Sequence, residues 1–391
     1  MFAPSQRVFW ILVAVGLLLP PLYEKASVQE RGHHGGEFQV ASAVQKVETN
    51  SHAEFCKSFV DISFQTRSAH VASLCEISNH CMLAAWYGGT REGARDVQIY
   101  LATLGSGQTN WTHVRPVVSR QSAQEELGRY VKKVGNAVLF SDGSDNVSLI
   151  YVSVSFGGWS GSALNLKTSH DGGLTWGPSR RLHLSPFLNI SELVKNQPAL
   201  LRDGRWAVPI YHEVFGKFSE LLWLSPMQLP LKYHKTRVTS RAVAFQPALV
   251  PVSSQDALLL ARDTGGGREL WCSRTEDCGR SWSAIGRAGL PNPDSGLDAI
   301  RLSDGRVLLA FNDAKDGREN LRLALSSDDG RTWQRLSALL EHEAGEEFSY
   351  PFLVQSTDGM VHLLYTWKRK GISHIRFNVK WLDQQAMGNP K

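Results

Sequence analysis

The apolar positions of this chain fall in short runs separated by polar turns. HVASLCEISNHCMLAAWYGG (70–89) is an apolar run, a polar turn and a second apolar run. The same pattern returns in VGNAVLFSDGSDNVSLIYVSV (134–154), NQPALLRDGRWAVPIYHE (196–213) and FQPALVPVSSQDALLLARD (245–263). It returns again in GLDAIRLSDGRVLLAFND (296–313) and YPFLVQSTDGMVHLLYTW (350–367). Four of these turns contain Asp-Gly, which between apolar runs marks a β-hairpin. A third run follows each hairpin, as in ELWCSR (269–274) and NLRLALS (320–326), and a fourth strand fits before the next unit. The units start about 50 to 65 residues apart. Sheets of this size cannot bury both faces alone, so they pack side by side around an axis. The pattern predicts an all-β fold, a six-bladed β-propeller. The last unit runs out near Leu382 without a fourth strand, so an N-terminal strand, FVDISF (59–64), is expected to complete it and close the ring.

A second repeat lies on the first. SHDGGLTW (169–176), TEDCGRSW (275–282) and SSDDGRTW (326–333) all fit [S/T]-x-D-x-G-x-[S/T]-W. Asp171 and Asp277 are 106 residues apart and Asp277 and Asp328 are 51, so one unit between the first two has lost the motif, near Ser225. Each copy follows a third strand, which makes it a 3–4 turn. Its chemistry suits a turn: the carboxylate accepts backbone N–H groups, Gly takes positive φ and Trp packs between sheets. The motif is therefore scaffold.

Strand parity then separates scaffold from site. In an antiparallel blade the 1–2 and 3–4 turns share one face of the disc, and the 2–3 loops and inter-blade links share the other. That second face collects Arg91, Asp96, Glu213, Arg262 and Arg318 from loops and strand ends, with His70, Gln246 and Tyr350 from strand starts. Arginines with a few acids and a tyrosine predict an anionic ligand, because a guanidinium grips a carboxylate through two parallel hydrogen bonds.

Composition narrows the classes. Apolar residues make up 42% and charged residues 20% of the 391, as in a soluble globular protein. The net charge of +5 is spread along the chain, with no basic block that would speak for nucleic acid. The twelve tryptophans are expected mainly in core and turn packing. Five cysteines leave at least one unpaired; Cys75/Cys81 and Cys272/Cys278 could each close a small loop in an oxidising compartment. No CxxC or HxxxH spacing occurs, so no metal site is expected, and no cofactor. Arg7 precedes an apolar run from Val8 to Leu19, signal-peptide length and short for a spanning helix. Residues 1–36 are expected to be a signal peptide or membrane anchor with its leader, and 37–391 the propeller. The protein is expected to be exported, periplasmic or secreted, with residues 8–19 as the alternative membrane tether.

Three such Asp boxes on a six-bladed pattern resemble the sialidase (neuraminidase) superfamily. LAAWYGGTREGARDVQIYLA is similar to its BNR-repeat branch, and the resemblance covers roughly residues 60 to 382. It implies three arginines on a substrate carboxylate, an Asp acid/base and a Tyr nucleophile activated by a Glu. A phenol avoids the repulsion that a carboxylate nucleophile would meet from the substrate's own carboxylate. Tyr350, in SYPFLVQSTDG, then takes the nucleophile's place. Arg262, in LLLARDTGGGREL, and Arg318, in DGRENLRLAL, take two arginine places. Arg91 and Asp96, in GTREGARDV, fit a supporting arginine and the acid/base. Two positions depart from the family: His70, in AHVA, stands where the leading arginine is usual, and Gln246, in FQPA, where the Glu is usual. Gln cannot accept a proton, which leaves Glu213, Glu346 and Glu347 as candidates for that task. The implied function is removal of a terminal acidic sugar, sialic acid or a relative, from glycans. The alternatives are a uronate polysaccharide lyase, with His70 or His212 as base beside Tyr350, and a non-catalytic carbohydrate-binding propeller.

Overall fold

Each hairpin pattern folds into an antiparallel sheet, and six sheets follow one another along the chain. The structure is a computed structural model that describes residues 36–40, 52–61, 66–185, 189–239 and 243–388. The apolar run 8–19 and the rest of the leader up to residue 35 lie outside the described residues.

Blade 1 is Ser68–Ile77, Cys81–Gly89, Gln98–Leu104 and Thr112–Val118. Blade 2 is Lys133–Ser141, Val147–Val154, Ser162–Ser169 and Arg180–Arg181. In blade 3 the inner strand is split into Glu192–Val194 and Ala199–Leu200, followed by Trp206–His212, Phe218–Ser225 and Lys232–Arg237. Blade 4 is Ala244–Pro251, Ala257–Asp263, Glu269–Thr275 and Gly286–Pro291. Blade 5 is Asp298–Arg301, Val307–Phe311, Asn320–Ser326 and Gln334–His342. Blade 6 contributes Phe348–Gln355, Val361–Trp367 and Gly371–Phe377. The second strands are almost wholly buried, as expected of sheets covered on both faces by neighbouring blades.

An N-terminal strand does close the ring, but it is Phe55–Phe59 rather than 59–64. It pairs antiparallel with Gly371–Phe377, Phe55 opposite Phe377 and Phe59 opposite Ser373. Aromatic contacts set this register: Phe55 lies 4.8 Å from Trp381 and Phe59 meets Trp367 edge-on at 5.1 Å. Residues 62–65 of the expected strand lie outside the described residues. Trp381 belongs to a short helix, Val379–Met387, capped by the Asn378 side chain, which covers the outer side of blades 5 and 6.

The Asp boxes are the turns that the motif predicts. The Asp328 carboxylate accepts the Thr332 N–H at 2.8 Å and its hydroxyl at 2.6 Å, and the Ser326 hydroxyl at 2.7 Å. Asp171 and Asp277 repeat the pattern. The Thr175 hydroxyl, with Ser169 and the Thr175 N–H, pulls the Asp171 pKa down to about 2. Gly330 has φ +78°, and a Cβ there would fall 2.4 Å from Leu258, so the box glycine is required twice over. The boxes also touch the 1–2 hairpins: Gly172 N–H donates to the Asp145 carbonyl at 3.0 Å and Cys278 N–H to that of Gln255 at 2.8 Å. They therefore share the hairpin face. Asp328→Ala is expected to cost about 1–3 kcal/mol in denaturant unfolding, since four bonds to a charged acceptor, the Arg331 N–H included, are lost at a partly exposed turn. Ligand binding at the opposite face is expected to be unchanged by calorimetry.

All five thiols are free, so neither candidate loop is closed by a disulfide in this structure. Phe38 is fully buried on the hairpin face, bridged to Leu201, with its N–H on the Ser254 carbonyl at 2.8 Å.

Candidate active site

The inner strands of four blades break step at the same level. The registers slip between His70 and Ala72, Gly135 and Val138, Phe245 and Ala248, and Ser349 and Phe352. In each slip one non-glycine residue has positive φ: Val71 (46°), Asn136 (38°), Gln246 (52°) and Tyr350 (53°). A bulge re-aims side chains at the cost of local strain, and such strain clusters at functional sites.

The side chains so placed meet at one mouth, on the face opposite the Asp boxes. His70 stands edge-on to the Tyr350 ring at 4.8 Å, and the Arg318 guanidinium carbon lies 5.5 Å from its centroid. Gly296, just before the inner strand of blade 5, lets the ring in, since a Cβ would sit 2.9 Å from Tyr350 Cδ1. Arg262 is buried over Phe245, donating Nη1–H to Gln246 Oε1 at 2.9 Å and Nε–H to Asp294 Oδ1 at 2.6 Å. Burial works against its charge, but the Tyr350 phenol and Asp294 outweigh it and raise the pKa. Arg318 donates to the Asp294 carbonyl at 2.8 Å and to Glu347 at 3.2 Å, so Asp294 joins both arginines. Gln246 also donates to the Tyr211 hydroxyl at 3.2 Å, which takes a second bond from Asn136 at 3.1 Å.

His70 is 2% exposed, and neither ring nitrogen has a hydrogen-bond partner. Burial, only partly offset by Glu92 and Glu347, lowers its pKa to about 4, so it is neutral at pH 7. Burial raises the pKa of Glu213 against the pull of Lys217, Arg262 and His212; Glu213 is half-buried and makes no hydrogen bond to Tyr350. For Glu347, burial is outweighed by the Ser349 hydroxyl, Arg369 and Arg318, which hold its pKa at about 2. That carboxylate is bound to arginine and is not free to act as a base. Glu346 pairs with Lys368 at 3.5 Å.

Asp96 and Arg91 sit further out, both exposed on the blade 1 loop. Asp96 closes that loop by accepting the Thr90 N–H and hydroxyl, each at 2.9 Å. These bonds outweigh desolvation and lower its pKa. Within the same loop Glu92 faces inward: it accepts from Trp159 Nε1 at 3.2 Å and Arg369 Nη1 at 3.3 Å, and lies 3.9 Å from His70 Nε2. Glu92, Asp294 and Arg369 were not singled out from sequence. Glu92 shares GTREGARD with two residues that were, and Asp294 and Arg369 occupy turns with positive φ.

A buried trio missed by spacing, Glu192, His212 and Glu220, brings possible ligand atoms within 4.8 Å of one another. Lys235 reaches Glu192 at 2.5 Å and Glu220 at 3.1 Å and already supplies positive charge there. A cavity of about 380 Å³ opens on the hairpin face, among Leu139, Trp206, Val250, Ile300 and Val354. It lacks the convergent arginines and tyrosine, and chemistry rather than volume makes the mouth the candidate site.

Comparison with known proteins bears on the fold. The family model of the BNR repeat-like domain matches residues 80–363. No curated protein matches the chain. Among solved structures, the Hadza microbial sialidase Hz136 superposes with a TM-score of 0.68 at 18% identity, over 81% of this chain and 67% of that one. The intramolecular trans-sialidase from Ruminococcus gnavus gives 0.66 at 14% identity, over 84% and 98%. A protein of unknown function from Dyadobacter fermentans gives 0.67 at 17% identity, over 84% and 100%. With this match over most of its length the chain belongs to the BNR repeat-like domain family, and its three Asp boxes and six blades give it the fold of these sialidase structures.

Proposed function

We propose that this protein grips the carboxylate of a terminal acidic sugar at the Arg262–Arg318–Tyr350 mouth and cleaves its glycosidic bond. The observation that carries this reading is the convergence of two arginines on one strained tyrosine, away from the Asp boxes. Tyr350 attacks the anomeric carbon as the glycosidic bond breaks, Asp96 at the rim of the blade 1 loop protonates the leaving oxygen, and a water then displaces the sugar from Tyr350, giving up its proton to Asp96. The guanidinium groups offset the substrate carboxylate and the negative charge that develops on the phenol oxygen. Gln246 cannot take the phenol proton. Glu213, whose basicity burial raises, takes that task in this reading. The protein works outside the cytoplasm, its leader serving as signal or anchor.

A second reading has one observation in its favour: His70, neutral and with neither ring nitrogen hydrogen-bonded beside Tyr350, has the form of a base for uronate lysis. One screen separates the two. The purified protein is offered sialosides and uronate-terminated glycans. Release of a free acidic sugar is expected. A product with new ultraviolet absorbance selects the lyase, and binding without any product selects a carbohydrate-binding propeller.

A further inference from the structure

We infer that Arg369, from the turn between the second and third strands of blade 6, supplies the guanidinium that the inner strand of blade 1 lacks. The sugar carboxylate is then held by Arg262, Arg318 and Arg369, from blades 4, 5 and 6. This rests on the acidic-sugar reading above.

The first support is position. The Arg369 carbonyl accepts the Ala69 N–H at 3.1 Å, so its backbone is pinned beside His70, the residue in the arginine's usual place. His70 itself is buried and uncharged and offers an anion no positive charge. The second support is convergence. Glu347 binds Arg318 Nη1 through Oε1 at 3.2 Å and Arg369 Nε through Oε2 at 2.6 Å. One carboxylate thus holds two guanidinium groups side by side. Arg369 acts electrostatically on both Tyr350 and His70. Its Nη1 reaches Glu92 at 3.3 Å, while Nη2 makes no hydrogen bond among the described residues. The side chain is 46% exposed, open to a ligand.

The third support is strain. Lys370 N–H donates to the Trp367 carbonyl at 2.9 Å across the turn, and both central residues, Lys368 and Arg369, have positive φ (51° and 55°). Such a turn ordinarily takes Asn-Gly. Two long cationic side chains in left-handed backbone are costly, and strain of this kind persists where position serves function.

The test is calorimetric titration of N-acetylneuraminic acid, its methyl ester and a glucuronate-terminated disaccharide into wild type, Arg369→Ala, Arg369→Gln and Arg262→Ala. At least one acid is expected to bind wild type. Arg369→Ala and Arg369→Gln are expected to weaken that acid about 10- to 100-fold, the worth of a charge-assisted bond. Binding of the ester is expected to be the same in both variants as in wild type. Wild-type affinity for the acid in Arg369→Ala, with loss in Arg262→Ala, overturns the inference and leaves the site reading standing. Equal loss of acid and ester in the Arg369 variants also overturns it, since the residue then acts through packing. Failure of wild type to bind either acid removes the site reading and the inference together.

Discussion

Tyr350→Phe is expected to abolish release of the acidic sugar, by at least about 10³-fold in kcat, because the attacking oxygen is gone. Binding is expected to change little. The ring remains edge-on to His70 at 4.8 Å, and Arg262 and Arg318 keep their bonds to Gln246, Asp294 and Glu347. Steady-state kinetics on the substrate found by the screen, beside calorimetry with its acid product, check both halves. A variant that turns over at the wild-type rate excludes the phenol as nucleophile. Unchanged binding together with lost turnover would separate this residue from the arginines, whose loss is expected to raise the dissociation constant first. The left-handed backbone at Tyr350 adds a constraint: phenylalanine has the same backbone preference, so the substitution removes the hydroxyl alone.

Blades and site were legible to different depths. The hairpins were plain because alternating apolar runs around Asp-Gly are a local signal, and NLRLALS (320–326) is a strand from end to end. Parity then placed Arg262, Arg318, Gln246, His70 and Tyr350 on one face, since it depends only on strand count. The closing strand was displaced to Phe55–Phe59 because its register is set by Trp367 and Trp381, which lie more than 300 residues further along the chain. The same remoteness hid Arg369, which is 277 residues from its partner Glu92. The bulges were hidden for another reason. An aromatic or a glutamine with positive φ contradicts local preference and is imposed by the neighbouring blades.

Those neighbours act through Lys195, where the inner strand of blade 3 is interrupted. Lys195 is 1% exposed, and its ammonium donates to the Leu297 carbonyl at 2.7 Å, the Pro351 carbonyl at 2.6 Å and the Asn196 side chain at 2.5 Å. Asn196 in turn donates to the Gln246 and Pro247 carbonyls at 3.2 and 2.9 Å. Blades 3, 4, 5 and 6 are thereby tied together, immediately beside the backbone of Tyr350 and Gln246. Asp298, equally buried, is the counter-charge: burial raises its pKa to about 6 despite Lys195, and burial lowers that of Lys195 to about 8 despite Asp298. Lys195→Met is expected to cost about 3–5 kcal/mol at pH 8, because it strips three acceptors of their donor and a buried carboxylate of its counter-charge. The sign of the pH dependence follows from Asp298. Its folded-state pKa is above the unfolded one, so its contribution to stability is lost as pH rises from about 4 to about 6. Without Lys195 the carboxylate is harder still to ionise, and that loss continues to higher pH. Denaturant titrations are therefore expected to show a smaller deficit at pH 5, where Asp298 is largely protonated in both proteins, than at pH 8. Adding Asp298→Asn is expected to recover part of the pH 8 deficit, since no uncompensated charge is left. Equal deficits at both pH values, or strict additivity of the two substitutions, would show that the two groups do not act as a pair.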